Sequence, residues 1–190
     1  MNPLTPEEIL AVLEFARAHS VRNWAMILLA YRHGLRASEV CGLRNSDVDL
    51  KSESLSIARL KGSLHTVQPV YQHKGQPLLD EAKALRLWLR ERPADGSNFL
   101  FVSQKGGRMH RTQFFRIFQE HAGEAGLPLE KRHPHALKHS LATHLVSGNV
   151  NLAWVKQCLG HKSISSTMKY TLVSDSQATA AAQAAMMAIF

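Results

Sequence analysis

Residues 159–170 have the sequence LGHKSISSTMKY, which closes a helical pattern and presents a tyrosine nine positions after a histidine. His161 follows the Leu-Gly pair, and small hydroxyl residues separate it from Tyr170. The phenol of a tyrosine has a pKa of about 10, so tyrosine is a poor nucleophile at neutral pH. A tyrosine that forms covalent bonds must therefore be surrounded by cations and proton carriers. Without such groups, a tyrosine in an amphipathic turn is a core residue.

Two candidate cations lie in the first third of the chain. Arg36 stands in the segment GLRASE (residues 34–39), at a predicted loop-to-helix junction. A guanidinium there can hold a phosphate with two parallel hydrogen bonds. Glu39 is expected to orient Arg36 or a neighbouring backbone group, and a solvated helix carboxylate is the alternative. Lys61 lies at a predicted turn between strands, from which an ammonium group can donate a proton. Taken singly, each of these is a common surface residue.

The segment HALKH (residues 135–139) places His135 and Lys138 on one face of a predicted helix, with His139 beside that face. Such a pattern could also hold a metal ion. However, lysine is a poor zinc ligand, and no carboxylate or cysteine stands at ligand spacing, so no metal site is expected. The pattern favours a basic helix that faces phosphate, with His139 in a supporting role.

The composition is that of one globular domain with a basic surface. The chain has 190 residues, of which 45% are hydrophobic and 20% charged, enough apolar residues for a core. The formal net charge of +8 favours a polyanionic partner, and nucleic acid is the first candidate. A basic protein without such a partner is the alternative.

Neither export nor membrane insertion is predicted. No apolar run approaches the ~20 residues of a membrane span. The N-terminus, MNPLTPEEIL, has no basic region followed by an apolar core. Cys41 and Cys158 lack the Cys-x-x-Cys spacing and are expected to be reduced thiols. We therefore expect a cytoplasmic protein without a membrane partner.

The hydrophobic pattern predicts an α+β fold that is mostly α-helical, with a small three-stranded antiparallel sheet. Thr5, Pro6 and Glu8 form the start signal of the first helix. Further helices are predicted over residues 22–32, 37–43, 80–90, 112–122, 135–147 and 151–159, with a helical turn over 167–170. Strands are predicted over residues 48–50, 55–60 and 67–70, with a further extended piece over 98–103.

Together these segments resemble the catalytic domain of the tyrosine recombinases, or phage-integrase family. The family pattern is an arginine in a Gly-Leu-Arg-x-Ser-Glu segment, a lysine in a β-turn, a His-x-x-Arg box, a His or Trp after Leu-Gly, and a tyrosine nine further on. The corresponding residues here are Arg36, Lys61, His135, His161 and Tyr170. The match runs from about Thr5 to Val173, and five features in this order are far more specific than any one alone.

Lys138 departs from the family pattern, which ends the His-x-x-Arg box with arginine. Lysine keeps the charge but loses the planar fork of the guanidinium. The resemblance therefore leaves alternatives open. One is an active site-specific recombinase, and another is a DNA-binding protein of the same fold whose cleavage is impaired by Lys138. A third is a topoisomerase-like activity through the same covalent step.

The resemblance implies a single catalytic domain over residues 1–190, without the N-terminal core-binding domain of most family members. This architecture is similar to that of the short recombinases that invert fimbrial promoter segments. The alternative is that an upstream domain was removed or is encoded elsewhere. Residues 175–190, rich in alanine and methionine, are expected to form a tail helix that packs on its own domain or is exchanged between protomers.

For this chain the resemblance implies DNA cleavage through a 3′-phosphotyrosyl bond to Tyr170, in the integration, excision or inversion of a mobile DNA segment. Lys61 would protonate the leaving 5′ oxygen, and the phosphate would be held by Arg36, His135, Lys138 and His161. No cofactor is implied. The implied partners are double-stranded DNA and further copies of the chain, monomeric when free and tetrameric on two DNA sites.

Basic residues outside this site are expected to contact phosphates, which fixes the register of a protein on DNA rather than the sequence that it recognises. The candidate DNA contacts are Arg59, Lys105, Arg108, Arg111, Lys131, Arg132 and Lys162. Each of them is, seen alone, an ordinary solvated charge.

Overall fold

The computed structural model of the chain describes residues 2–59, 65–103, 105–168, 170, 183, 186 and 187. Over these residues the fold is mostly helical with one small antiparallel sheet, which confirms the predicted fold class. The helices are α1 (Pro6–His19), α2 (Val21–Arg32), α3 (Ala37–Val40), α4 (Glu81–Glu91), α5 (Arg111–Glu124), α6 (His135–Ser147), α7 (Leu152–Leu159) and α8 (Ser165–Met168). The strands are β1 (Val48–Asp49), β2 (Ser54–Ile57) and β3 (Thr66–Pro69).

The first two helices form the frame on which the rest is built. Thr5 caps α1 as predicted: its hydroxyl accepts from the Glu8 amide at 3.2 Å, and the Glu8 carboxylate accepts from the Thr5 amide at 2.8 Å. Such a cap stabilises a helix by about 1 kcal/mol. Residues 23–30 of α2 are all buried, because α1, α4 and α6 pack around that helix.

The sheet has the order β1-β2-β3, and both pairs are antiparallel. Leu55 and Ile57 of the central strand point into the core, while Ser54 and Ser56 on the other face are partly exposed. The predicted turn that carries Lys61 lies outside the described residues.

The segment 98–103, predicted as a brief strand or extended piece, is non-helical but is not a strand of the sheet. This segment makes only two isolated bridges, Arg44 with Phe99 and Val102 with Arg108. Side chains bind much of its backbone instead: the Trp88 indole donates to the Leu100 carbonyl at 2.9 Å, and the Arg92 guanidinium donates to the Phe99 carbonyl at 3.0 Å. Bonds of this kind cannot be recognised from hydrophobic alternation.

A second, smaller apolar cluster lies between α6 and α7. Its buried members are Leu141, Ala142, Val155 and Leu159, and Tyr170 packs against them. The cluster joins the carboxyl end of α7 to the rest of the protein, close to the residues expected to act on DNA. None of the helices in the described part of the chain is long and apolar enough to cross a membrane.

Candidate active site

Arg36 is held at the start of α3 by Glu39. The Arg36 amide donates to one carboxylate oxygen of Glu39 at 2.8 Å, and its guanidinium donates to the other oxygen at 2.8 Å. Glu39 is buried, whereas 28% of the Arg36 side chain is exposed. Glu39 therefore fixes one end of the guanidinium from inside the protein. This is the orienting role that the sequence predicted for Glu39.

The turn before Arg36 depends on Gly34. Gly34 has a φ of +56°, and a Cβ atom there would lie 2.8 Å from Leu159 Cδ2 in α7. Only a glycine lets the backbone of this turn come so close to α7 in a left-handed conformation. This approach places the Arg36 turn against the carboxyl end of α7.

We expect Gly34→Ala to destabilise the protein more than Gly96→Ala does. Gly96 has a φ of +70° with nothing within 4 Å of the added Cβ, so it is the matched control for backbone strain alone. Each substitution should cost about 1–2 kcal/mol of strain, and Gly34→Ala about 1–3 kcal/mol more because Leu159 must repack. The free energy of unfolding in urea measures both. An equal loss in the two variants would show that the contact with α7 is not tight.

Helix α6 carries three of the candidate residues at its amino end. His135 is exposed, and Lys138 is buried. The Lys138 ammonium donates to the Leu159 carbonyl at 2.9 Å, at the end of α7. The ring of His139 meets the ring of Tyr170 edge-on, with 5.4 Å between centroids. Further along the same helix, His144 has a structural role, since it bonds both Tyr31 and the Leu4 carbonyl.

His161 follows directly after α7 ends. Gly160 closes that helix with a φ of +65°, and a Cβ there would lie 3.0 Å from both Cγ and Nε of Arg59. His161 is buried, and its Nδ1 lies 2.9 Å from the hydroxyl of Thr167 in α8. Thr167 thus sets the orientation of the His161 ring, a role for which the sequence held no signal.

Tyr170 lies just beyond α8 and is half-buried. Helix α8 comprises Ser165–Met168, and the Tyr170 amide donates to the Thr167 carbonyl at 3.1 Å. Burial raises the pKa of the Tyr170 phenol above its usual value. The phenol is therefore protonated at neutral pH, and a base must take its proton before or during any attack.

Lys138, the Arg36 turn, His161 and Tyr170 are grouped around the end of α7. Lys138 binds the Leu159 carbonyl, the Arg36 turn contacts the Leu159 side chain through Gly34, and His161 follows two residues later. Tyr170 packs on the same apolar cluster. Lys61 is the one catalytic candidate outside the described residues.

Arg59 corrects an expectation. It was expected on a DNA-facing surface, but its side chain is 0% exposed. Its guanidinium donates to the carbonyls of His33 at 2.8 Å, Gly34 at 3.1 Å and Cys158 at 2.7 Å, and it pairs with Glu39. Burial lowers its pKa, while the Glu39 carboxylate opposes that shift. A side chain buried and bonded inside the protein in this way does not serve as an exposed phosphate contact.

The other candidate DNA contacts fall into two groups. Lys105, Arg111 and Lys162 are exposed. Arg108 is also exposed, although its guanidinium donates to the Cys41 and Ser38 carbonyls. In contrast, Lys131 and Arg132 are partly buried: Lys131 pairs with Glu8 at 2.7 Å, and Arg132 donates to the Leu127 carbonyl. The exposed group is therefore better suited to bind a phosphate backbone.

Three residues near the site were not singled out from the sequence. Gln68 on β3 donates to the Cys158 carbonyl at 2.9 Å, and His33 contacts both Gln68 and Glu81 at 2.9 Å. His33 and Glu81 are completely buried.

Within the part of the chain that the structure describes, no three His, Cys, Asp or Glu side chains are grouped so as to hold a metal ion.

Comparison with known families matches residues 2–177 to the phage integrase family. The matched span includes every candidate catalytic residue named above. Among curated proteins, the type 1 fimbriae regulatory protein FimB of Escherichia coli K12 is 39% identical over 175 residues, which cover 90% of this chain and 84% of FimB. Tyrosine recombinase XerA of Pyrococcus furiosus is 33% identical, over 90% of this chain and 57% of XerA.

Solved structures of recombinases share the fold. The crystal structure of XerA recombinase superposes with a TM-score of 0.79 at 26% identity, over 94% of this chain and 63% of that one. The XerH site-specific recombinase bound to its difH substrate, in a pre-cleavage complex, gives a TM-score of 0.81 at 26% identity, over 96% and 54%. This chain thus spans less than two thirds of the length of either solved recombinase.

Proposed function

The chain belongs to the phage integrase family of tyrosine recombinases, and we propose that it cleaves and rejoins double-stranded DNA at specific sites through a covalent bond to Tyr170. The observation that supports the proposal is a shared neighbour at the end of α7: Lys138 and the Arg36 turn both contact Leu159, and Tyr170 packs on the apolar cluster that contains Leu159. His161 follows the same helix. A phosphodiester that is attacked needs cations on its non-bridging oxygens, and these groups supply them.

Cleavage would proceed by transfer of the phosphoryl group to tyrosine. The Tyr170 oxygen attacks phosphorus, and the bond from phosphorus to the 5′ oxygen breaks, which leaves a 3′-phosphotyrosyl bond and a free 5′-hydroxyl. His135, which is exposed at the start of α6, accepts the phenol proton, and Lys61 donates a proton to the leaving oxygen. The 5′-hydroxyl of a partner strand then reverses these steps. The covalent bond conserves the energy of the broken one, so no cofactor takes part.

Positive charges around the phosphate would lower the barrier. In this proposal the guanidinium of Arg36, the ammonium of Lys138 and the ring of His161 stabilise the charge that develops on the phosphate oxygens. Internal hydrogen bonds to Glu39, the Leu159 carbonyl and Thr167 fix the positions of these three groups. Removing one such donor from an active site typically slows a reaction about 10²–10³-fold. His139 supports the site by packing against the ring of Tyr170.

Strand exchange between two DNA sites requires more than one protomer. We therefore propose that the chain acts as a tetramer on two sites and that the tail over residues 175–190 is exchanged between protomers. Most of this tail lies outside the described residues, but Met186 and Met187 within it are exposed and suited to docking on a neighbour. The stoichiometry of the protein on DNA with two sites, measured by sedimentation, tests this proposal.

A DNA duplex that is nicked beside the cleavage point tests the function directly. The short fragment that carries the 5′-hydroxyl diffuses away after cleavage, so the covalent complex accumulates. We expect a protein–DNA adduct that survives denaturation, with the phosphate mapped to Tyr170 by mass spectrometry of the digested complex. The alternative of a DNA-binding protein without strand transfer is not favoured by the relatives, and the absence of any adduct would revive it.

Binding should weaken steeply with salt, because phosphate contacts release counterions from DNA. Each contact contributes about 0.9 to the slope of log Kd against log salt. Arg111 is exposed at the start of α5, and Arg111→Gln is expected to lower the slope by about that amount. Binding measured by fluorescence anisotropy at several salt concentrations checks this. A wild-type slope near zero would contradict an interface dominated by phosphates.

A further inference from the structure

The buried guanidinium of Arg59 connects the two halves of the candidate active site. On one side it donates to the carbonyls of His33 and Gly34, at 2.8 and 3.1 Å, in the turn that leads into Arg36. On the other side it donates to the Cys158 carbonyl at 2.7 Å, in the last turn of α7 before His161. A single side chain thus holds together two segments more than 100 residues apart in the sequence.

A second side chain, that of Gln68, also binds the Cys158 carbonyl. The Gln68 amide donates to Cys158 at 2.9 Å, while its oxygen faces His33 Nδ1 at 2.9 Å. His33 Nε2 in turn lies 2.9 Å from a carboxylate oxygen of Glu81, and the other oxygen of Glu81 accepts from the Tyr71 amide at 2.8 Å. The Cys158 carbonyl is therefore fixed by two donors from the sheet region, one of which is anchored to the first turn of α4.

The bonds of Arg59 are directed at main-chain atoms of the site, not at its substrate. Three of its acceptors are carbonyls, and the fourth is Glu39, which orients Arg36. The planar fork of arginine suits this task because it can reach several acceptors in fixed directions, which the ammonium of lysine cannot. Loss of these bonds would free the Arg36 turn to move relative to His161.

We propose that Arg59 is a positioning residue that sets the distance between Arg36 and His161 across the scissile phosphate, with Gln68 as its partner at Cys158. This inference rests on the proposed function. A displacement of about 1 Å at a reacting centre can cost about 10²-fold in rate. Arg59 thus acts on the chemical step through other residues and makes no contribution to the affinity for DNA.

The test separates the rate of cleavage from binding. Arg59→Met removes all four interactions, whereas Arg59→Lys keeps the charge and can reach part of the acceptor set. With saturating nicked substrate in single turnover, we expect adduct formation to slow about 100-fold in Arg59→Met and to recover partly in Arg59→Lys. The slope of log Kd against log salt should stay at the wild-type value in both. Arg111→Met is the comparison variant in which that slope decreases.

Three outcomes would overturn the inference. One is a wild-type cleavage rate in Arg59→Met, and another is a salt slope reduced by about 0.9 in that variant, which would mark Arg59 as a phosphate contact. If Arg59→Met fails to melt cooperatively, Gln68→Leu serves as the second test variant, because it removes one donor to the Cys158 carbonyl. It should slow cleavage about tenfold and leave the salt slope unchanged. The third contradicting outcome is a wild-type cleavage rate in both Gln68→Leu and Arg59→Lys. A wild-type protein that forms no adduct would instead count against the proposed function.

Discussion

A Tyr170→Phe variant is expected to form no covalent adduct with nicked DNA and to exchange no strands, while it binds the same DNA with unchanged affinity. The substitution removes only the phenolic oxygen, which is the proposed nucleophile. The ring can keep its packing on the apolar cluster of α6 and α7 and its contact with His139. Denaturing gel electrophoresis measures the adduct, and a mobility shift measures the binding.

Tyr31→Phe is the matched control, because the chain has only three tyrosines and each of these two variants loses one phenol. The Tyr31 hydroxyl lies 2.8 Å from His144 Nδ1, and His144 Nε2 lies 2.9 Å from the Leu4 carbonyl. Its hydroxyl is therefore engaged in the structure, and Tyr31→Phe should still form the adduct. An adduct that persists in Tyr170→Phe would show that another residue is the nucleophile.

Lys138→Arg is expected to raise the rate of cleavage about a hundredfold, the effect of regaining one well-placed donor in an active site. The ammonium of Lys138 already donates one hydrogen bond to the Leu159 carbonyl, at 2.9 Å. A guanidinium has five donors in a planar fork, so it could keep that bond and also hold a phosphate oxygen. Adduct formation in single turnover, at saturating DNA, measures the change.

Lys138→Met provides the opposite case for the same position. It removes the charge and leaves the Leu159 carbonyl without this donor, so cleavage should fall and the melting temperature should decrease. If Lys138→Arg melts like the wild type but cleaves no faster, then lysine is adapted to this site, and other cations share the task of the missing guanidinium. If Lys138→Arg melts at a lower temperature, the buried space beside Gly34 is fitted to the narrower lysine stem.

The fold was largely predictable because its signals are local. The capping box of Thr5 and Glu8 and the helical spacing of Ile9, Val12 and Leu13 lie within one or two turns of each other. The three strands follow from alternation in the same way. The segment 98–103 differs, since its Leu100 and Phe99 carbonyls accept hydrogen bonds from the side chains of Trp88 and Arg92. These contacts depend on tertiary packing and leave no local signal.

For the candidate site, the sequence predicted which residues take part but not how they contact one another. The motifs identify Arg36, His135 and Tyr170, but they do not reveal which charges are used inside the protein. For Arg59 a signal was available: Leu55 and Ile57 alternate on the buried face of β2, and the same period of two places residue 59 on that face. No local pattern relates His33 to Glu81, because 48 positions separate them and only the packing of α4 brings them together.

The closeness of Gly160 to Arg59 has a consequence for how this protein can evolve. Any side chain at position 160 would meet Arg59 at 3.0 Å as well as a left-handed backbone. A larger residue at position 160 therefore requires a shorter side chain at position 59. That change removes the hydrogen bonds by which Arg59 joins the Arg36 turn to α7. Substitutions at the two positions are therefore coupled, although the positions lie 101 residues apart in the sequence.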